Sequence, residues 1–132
     1  MIDLDLALRL QAAGLEWSPA SGDRFVIANR DMDADVFVVS ELTIEVHQAP
    51  GGPLIRFNGT TEWALDSVEQ SATVWLPRED QLREALGPRF RRLEPVGDGF
   101  AVVVELDGAE QRHVDVDAER SYARALLAVL AS

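Results

Sequence analysis

The stretch Asp31-Met32-Asp33-Ala34-Asp35 holds the most inviting chemistry in the chain, three carboxylates at alternate positions. A calcium-binding loop begins this way, because a hard cation wants several oxygen ligands folded around it. The pattern then stops. The sixth position, where the loop needs glycine for a sharp turn, is Val36, and the twelfth, where it needs a bidentate glutamate, is Leu42. A solvated acidic turn is the better reading, and no metal is expected. The two histidines, His47 and His113, are the side chains whose charge changes nearest neutral pH. Neither belongs to a His-x-x-x-His or Glu-x-x-His pairing, and both read as outward or rim residues of strands.

Other chemistries fail for want of neighbours. Ser40, Ser67 and Ser71 lack the Gly-x-Ser-x-Gly elbow that exposes a nucleophile. Pro50-Gly51-Gly52-Pro53 has no lysine and no helix start after it, so it is a turn and not a phosphate cradle. Arg89-Phe90-Arg91-Arg92 is a local basic patch, read as neutralising Glu79, Asp80 and Glu84. With 23 acidic residues some carboxylate pair can always be nominated for acid–base work, so nomination carries no weight. The remaining lead is aromatic. Trp17, Trp63 and Trp75 are first of all core anchors. Were Trp63 and Trp75 to line a cleft with Glu62 and Asp66, they would form a binding surface.

Composition narrows the classes further. The 132 residues are 47% hydrophobic, enough for a folded core in one domain spanning 1–132. Cysteine is absent, which excludes disulfides, thiolate metal sites and cysteine nucleophiles. The net charge is −11, a field that repels phosphate backbones and anionic lipids, so neither nucleic acid nor membrane is an expected partner. All 12 basic residues are arginine; with abundant Ala, Val, Asp and Gly, this suggests a high-GC bacterial origin. No apolar run approaches the ~20 residues of a membrane span. Met1-Ile2-Asp3-Leu4-Asp5 lacks the basic start of a signal peptide, so the expected location is the cytoplasm.

The elements that would position these residues centre on Pro53 to Leu86. Asn58-Gly59 signals a hairpin, with Leu54 to Phe57 as one arm and Thr60 to about Ser67 as the other, although Glu62 to Val68 also suits a helical turn. Before it, Ile2 to Ala13 reads as a helix capped by Asp3, with Leu4, Ala7, Leu8 and Gln11 on one face and Gly14 as its left-handed terminator. Arg24 to Ala28 is a short strand. Val36-Phe37-Val38-Val39, apolar on both faces, reads as a central strand, and Leu42 to His47 alternates as a half-buried one. After Thr73-Val74-Trp75, Pro77 opens a second helix whose Leu82, Ala85 and Leu86 face the core. Phe90 to Glu94, a turn at Pro95 to Gly99, Phe100 to Leu106, an Asp107-Gly108 turn and Gln111 to Val116 form a meander. Asp117 caps a last helix, Ala118 to Ala131, with Tyr122, Ala125, Leu126, Val129 and Leu130 inward. The expected class is α+β: a mostly antiparallel sheet with about three helices packed on one face.

The segments Phe57 to Val68 and Val74-Trp75-Leu76-Pro77-Arg78-Glu79-Asp80-Gln81-Leu82-Arg83, with Gly22-Asp23-Arg24-Phe25, Val36 to Ser40 and Tyr122 to Leu127, resemble a family of short actinobacterial proteins without assigned function. The likeness spans nearly the whole chain. The Trp-Leu-Pro-Arg element is also similar to one in small phage-associated proteins. Members sometimes carry a loose pilus-assembly label; an ATPase-like component would need a phosphate loop, which is missing here, so the resemblance implies an accessory or binding role. It supplies no catalytic residues, and no cofactor is expected. The expected function is therefore a non-enzymatic module that engages a protein partner or forms a homodimer. The alternative is a small-molecule-binding or hydrolase-like domain with a Trp-lined acidic cleft at Trp63, Trp75, Glu62 and Asp66.

Overall fold

The computed structural model describes residues 1–27, 36–39, 45–49, 52–56, 67–69 and 73–132. The chain divides into two compact units, Met1–Glu16 with Pro77–Ser132, and Trp17–Leu76. The fold is mixed α+β; the described residues hold three α-helices, and every described strand pair is antiparallel.

In the first unit, α1 (Leu4–Ala12) starts where the Asp3 carboxylate accepts a hydrogen bond from the Leu6 amide at 2.8 Å. It ends in a paired closure: the Gly14 amide donates to Gln11 and the Leu15 amide to Leu10, with Gly14 at φ 104°. Its buried face is Leu6, Ala7 and Leu10; Leu8, expected inward, is exposed. Helix α2 (Glu79–Leu86) begins two residues after Pro77, and the Gln81 side chain accepts from the Arg78 amide. Leu82 and Leu86 are buried, whereas Ala85 faces solvent. A 3-10 turn, Gly87–Arg89, follows.

Then come β7 (Phe90–Val96), β8 (Gly99–Leu106) and β9 (Ala109–Asp115), a meander in the order β7-β8-β9. Pro95 and Val96 belong to β7, so the first turn is tighter than the sequence suggests: Val96 pairs with Gly99. In the second turn Asp107 and Gly108 both have positive φ, 53° and 79°, as a type I′ hairpin requires. Helix α3 (Ala118–Ala131) is capped by Asp117, whose carboxylate accepts from the Arg120 amide. It packs on β8 and β9, while α1 and α2 pack on it. Tyr122, Ala125 and Leu126 are buried, Tyr122 against the Phe90 ring at 5.7 Å. Burying a side chain the size of Leu126 contributes about 2 kcal/mol.

In the second unit, β1 (Arg24–Ile27) lies between β2 (Phe37–Val38) and β6 (Thr73–Leu76). The expected central strand at Val36–Val39 is thus an edge among the described residues, with Val36 and Val38 exposed. Phe25 sits opposite Phe37 on one side and Trp75 on the other. A second sheet has the order β3 (Glu45–Ala49), β4 (Gly52–Arg56), β5 (Ser67–Glu69). Gly52 and Pro53 lie in β4, with Ala49 opposite Gly52. Arg56 pairs with Glu45 and Ser67, and the expected arm from Thr60 lies outside the described residues as far as Asp66. Asn58-Gly59 lies outside the described residues.

Candidate interaction surface

Cross-strand register sorts the side chains of β7–β9 onto two faces. Phe90, Leu93, Val102, Val104, His113 and Asp115 share one, set by the pairs Phe90 with Val104, Leu93 with Val102 and Val102 with His113. The Phe90–Tyr122 stack and the Asp115 contacts to Arg120 and Arg124 identify it as the α3 face. The opposite face carries Arg92, Glu94, Ala101, Val103, Glu105, Glu110, Arg112 and Val114.

That opposite face is an ion-pair lattice. Arg92 donates to Glu94 at 3.1 Å and reaches Glu110, on the far strand, at 3.1 and 3.3 Å. Arg112 returns from β9 to Glu94 on β7. The register shift at Arg91 turns its guanidinium to Glu105, the Pro88 carbonyl and the Phe90 carbonyl. Three arginines thus neutralise three glutamates. Beneath them Val103, directly between Arg92 and Arg112, is fully buried. Hydrogen bonds from Arg92 lower the Glu94 carboxyl below its ordinary range, and those to Glu110 and Glu94 raise Arg92. The basic patch therefore neutralises Glu94, Glu105 and Glu110 across the sheet instead of Glu79, Asp80 and Glu84. Pairing register, invisible in the sequence, makes the difference.

On the α3 face, Asp115 is the most committed carboxylate. Burial alone would push it up. The Arg124 guanidinium at 2.8 Å, the Asp117 amide at 3.1 Å and the Arg120 guanidinium at 2.9 Å outweigh that and hold it at about 2. His113, expected to point outward, turns instead to the α3 face opposite Val102 and is half-buried. Its Nε2 is buried without a hydrogen-bond partner, and burial lowers its pKa. Neither group suits proton transfer near neutrality: one is locked as an anion, the other held neutral.

The two edges of this sheet differ. The outer edge of β7 is blunted by the Arg91 shift and by Pro95, which has no N–H to donate. β9 is seven residues long, contains neither proline nor a bulge, and is exposed from Ala109 to Arg112. Among the described residues no further strand pairs with it. A shallow cavity of about 300 Å³ opens at the end of the sheet, lined by Pro88, Arg89, Arg91, Glu105, Asp107 and Gly108.

Of the expected site residues, Trp75 is described, whereas Trp63, Glu62 and Asp66 lie outside the described residues. Trp75 stacks on Trp17 with centroids 6.3 Å apart and planes 10° from parallel, and Trp17 packs on Phe25 at 5.5 Å. The Trp17 indole donates to the buried Asp23 carboxylate at 2.9 Å. Trp17 and Phe37 pack against the core of Phe25, Ile27 and Val39. The Trp75 Nε1 is buried with no hydrogen-bond partner. Asp31, Asp33, Asp35, Ser40 and Ser71 lie outside the described residues, as do the side chains of His47 and Ser67. Among the described residues no three His, Asp or Glu side chains gather as a metal site. Sequence reasoning missed Glu110, Arg112, Asp115, Arg120 and Arg124. The available signal was the alternation of opposite charges, Arg92 and Glu94 in one strand, Glu110 and Arg112 in another.

No helix among the described residues is long and apolar enough to cross a membrane. Neither a protein-family model, nor a curated protein, nor a solved structure matches the chain.

Proposed function

We propose that the chain is a non-enzymatic interaction module of the cytoplasm, acting as an accessory protein that engages another polypeptide through the β9 edge. The observation that carries this reading is the contrast between the two edges of one sheet. β7 is blunted by a bulge and a proline, while β9 offers an uninterrupted row of backbone donors and acceptors. Two further features support it. The ionisable groups around the edge are committed to one another, as the Arg/Glu lattice and Asp115 illustrate. The likeness to short actinobacterial proteins implies an accessory role and brings no catalytic residues. A photoreactive amino acid placed at Gln111 should give a covalent adduct with a polypeptide in cells, and the same group at Asp98, in the β7–β8 turn, should not. The reading is overturned if Gln111 yields no adduct, or if the purified chain turns over members of a metabolite panel.

A further inference from the structure

We infer that the polypeptide received by β9 is a second copy of β9, giving a two-fold dimer with a continuous six-stranded sheet; this rests on the reading of the β9 edge as the contact surface. A two-fold axis normal to the sheet requires antiparallel pairing in which one residue faces its own copy. Residues equally distant on either side of that centre then face each other on the same side of the sheet. Three central registers place the exposed stretch of β9 in contact. Centred on Glu110, the register sets Glu110 against Glu110; centred on Arg112, it sets Arg112 against Arg112. Like charges directly opposite are destabilising.

Centred on Gln111, the register sets Glu110 against the partner's Arg112 and Arg112 against the partner's Glu110, so the two opposite-charge pairs form together. On the α3 face the same register places Gln111 against its own copy and Ala109 against the partner's His113. Glu110 and Arg112 are available for this role. Their side chains are 49% and 56% exposed, although each already touches β7 through Arg92 or Glu94. A carboxylate can accept from two guanidiniums, so the lattice of one sheet would run on into the next. The charge pattern also explains why an otherwise unprotected edge, in a chain of net charge −11, selects one pairing and rejects the slipped ones.

The test combines charge exchange with a sulfur reporter. In sedimentation analysis the full chain should be a dimer. Glu110→Arg and Arg112→Glu should each weaken it roughly tenfold by opposing like charges twice, and the double exchange should restore it. Far-UV circular dichroism confirms that each variant keeps its fold. Gln111→Cys leaves the lattice untouched and is informative because the chain has no cysteine of its own. Facing residues in such a pair lie within disulfide reach, so mild oxidation should join two chains at Gln111→Cys and not at Ala109→Cys. A chain that stays monomeric at hundreds of micromolar overturns the inference. So does a dimer that charge exchange fails to restore and that Gln111→Cys fails to cross-link. The two readings fail separately: a monomer whose Gln111 photo-adduct contains a different polypeptide removes self-pairing alone, whereas no adduct at all removes both.

Discussion

Asp115 accepts hydrogen bonds from two guanidiniums and one amide, and that set predicts how the chain responds to acid. Its pKa in the fold is about 2 against an ordinary 3.8. The folded state therefore releases this proton more readily than the unfolded chain. The resulting stability is complete above pH 3.8 and is lost as pH falls from 3.8 through about 2. Asp115→Asn should cost about 2 kcal/mol at neutral pH and remove that acid-sensitive step, as read by urea denaturation at a series of pH values. His113 acts in a window nearer neutrality. Burial lowers it from 6.5, so its cost is absent above 6.5 and grows as pH falls through the lowered folded value. His113→Gln should flatten the thermal midpoint against pH between neutrality and mild acid, and leave the Asp115 step in place. The sequence gives no hint of either behaviour, because His113 reads as an outward or rim strand residue and Asp115 meets Arg120 and Arg124 only once α3 is laid over the sheet.

At the level of elements, the helix caps and the Asp107-Gly108 turn were legible, and the packing faces were not. Asp3, Gly14, Asp107-Gly108 and Asp117 carry local chemistry that holds in any context, and all four act as expected. Asp3→Ala should cost about 1 kcal/mol through the lost Leu6 bond. The buried stripe of α1 was harder. Leucines stand at Leu4, Leu6, Leu8 and Leu10, so two helical faces look equally apolar, and contact with α3 selects Leu6, Ala7 and Leu10. Val36 to Val39 is apolar without alternation and so cannot announce whether it is central or at an edge. Two glycines should also separate in behaviour. Gly108 needs its φ of 79° but has open space around it, so Gly108→Ala should cost about 1 kcal/mol of strain. Gly99 has no such torsion; a Cβ there would sit 2.9 Å from the Val116 Cα and closer still to the Asp115 carbonyl oxygen. That contact is backbone against backbone, so Gly99→Ala should lower the denaturation midpoint further than Gly108→Ala does.

At the level of the whole molecule, the overall acidity and the local neutrality of one face belong together. The net charge of −11 keeps copies apart at long range, while Arg91, Arg92 and Arg112 cancel Glu94, Glu105 and Glu110 on the sheet. Added salt screens the long-range repulsion within about 10 Å, so moderate salt should favour association before higher salt weakens the short-range pairs. Sedimentation across a salt series should show that maximum. Residue types alone could not have located this surface: it depends on which strands neighbour one another and on a register fixed by two turns.

The distribution of aromatic side chains between the two units has an optical consequence. Trp17, Trp63 and Trp75 all fall within Trp17–Leu76, and Tyr122, the one tyrosine, belongs to the other unit. Red-edge excitation, which indole alone absorbs, therefore watches one half of the protein melt, while the helical far-UV circular dichroism of α1, α2 and α3 watches the other. Coincident curves would mean the halves unfold as one cooperative body; separated curves would give each its own stability without any label being attached.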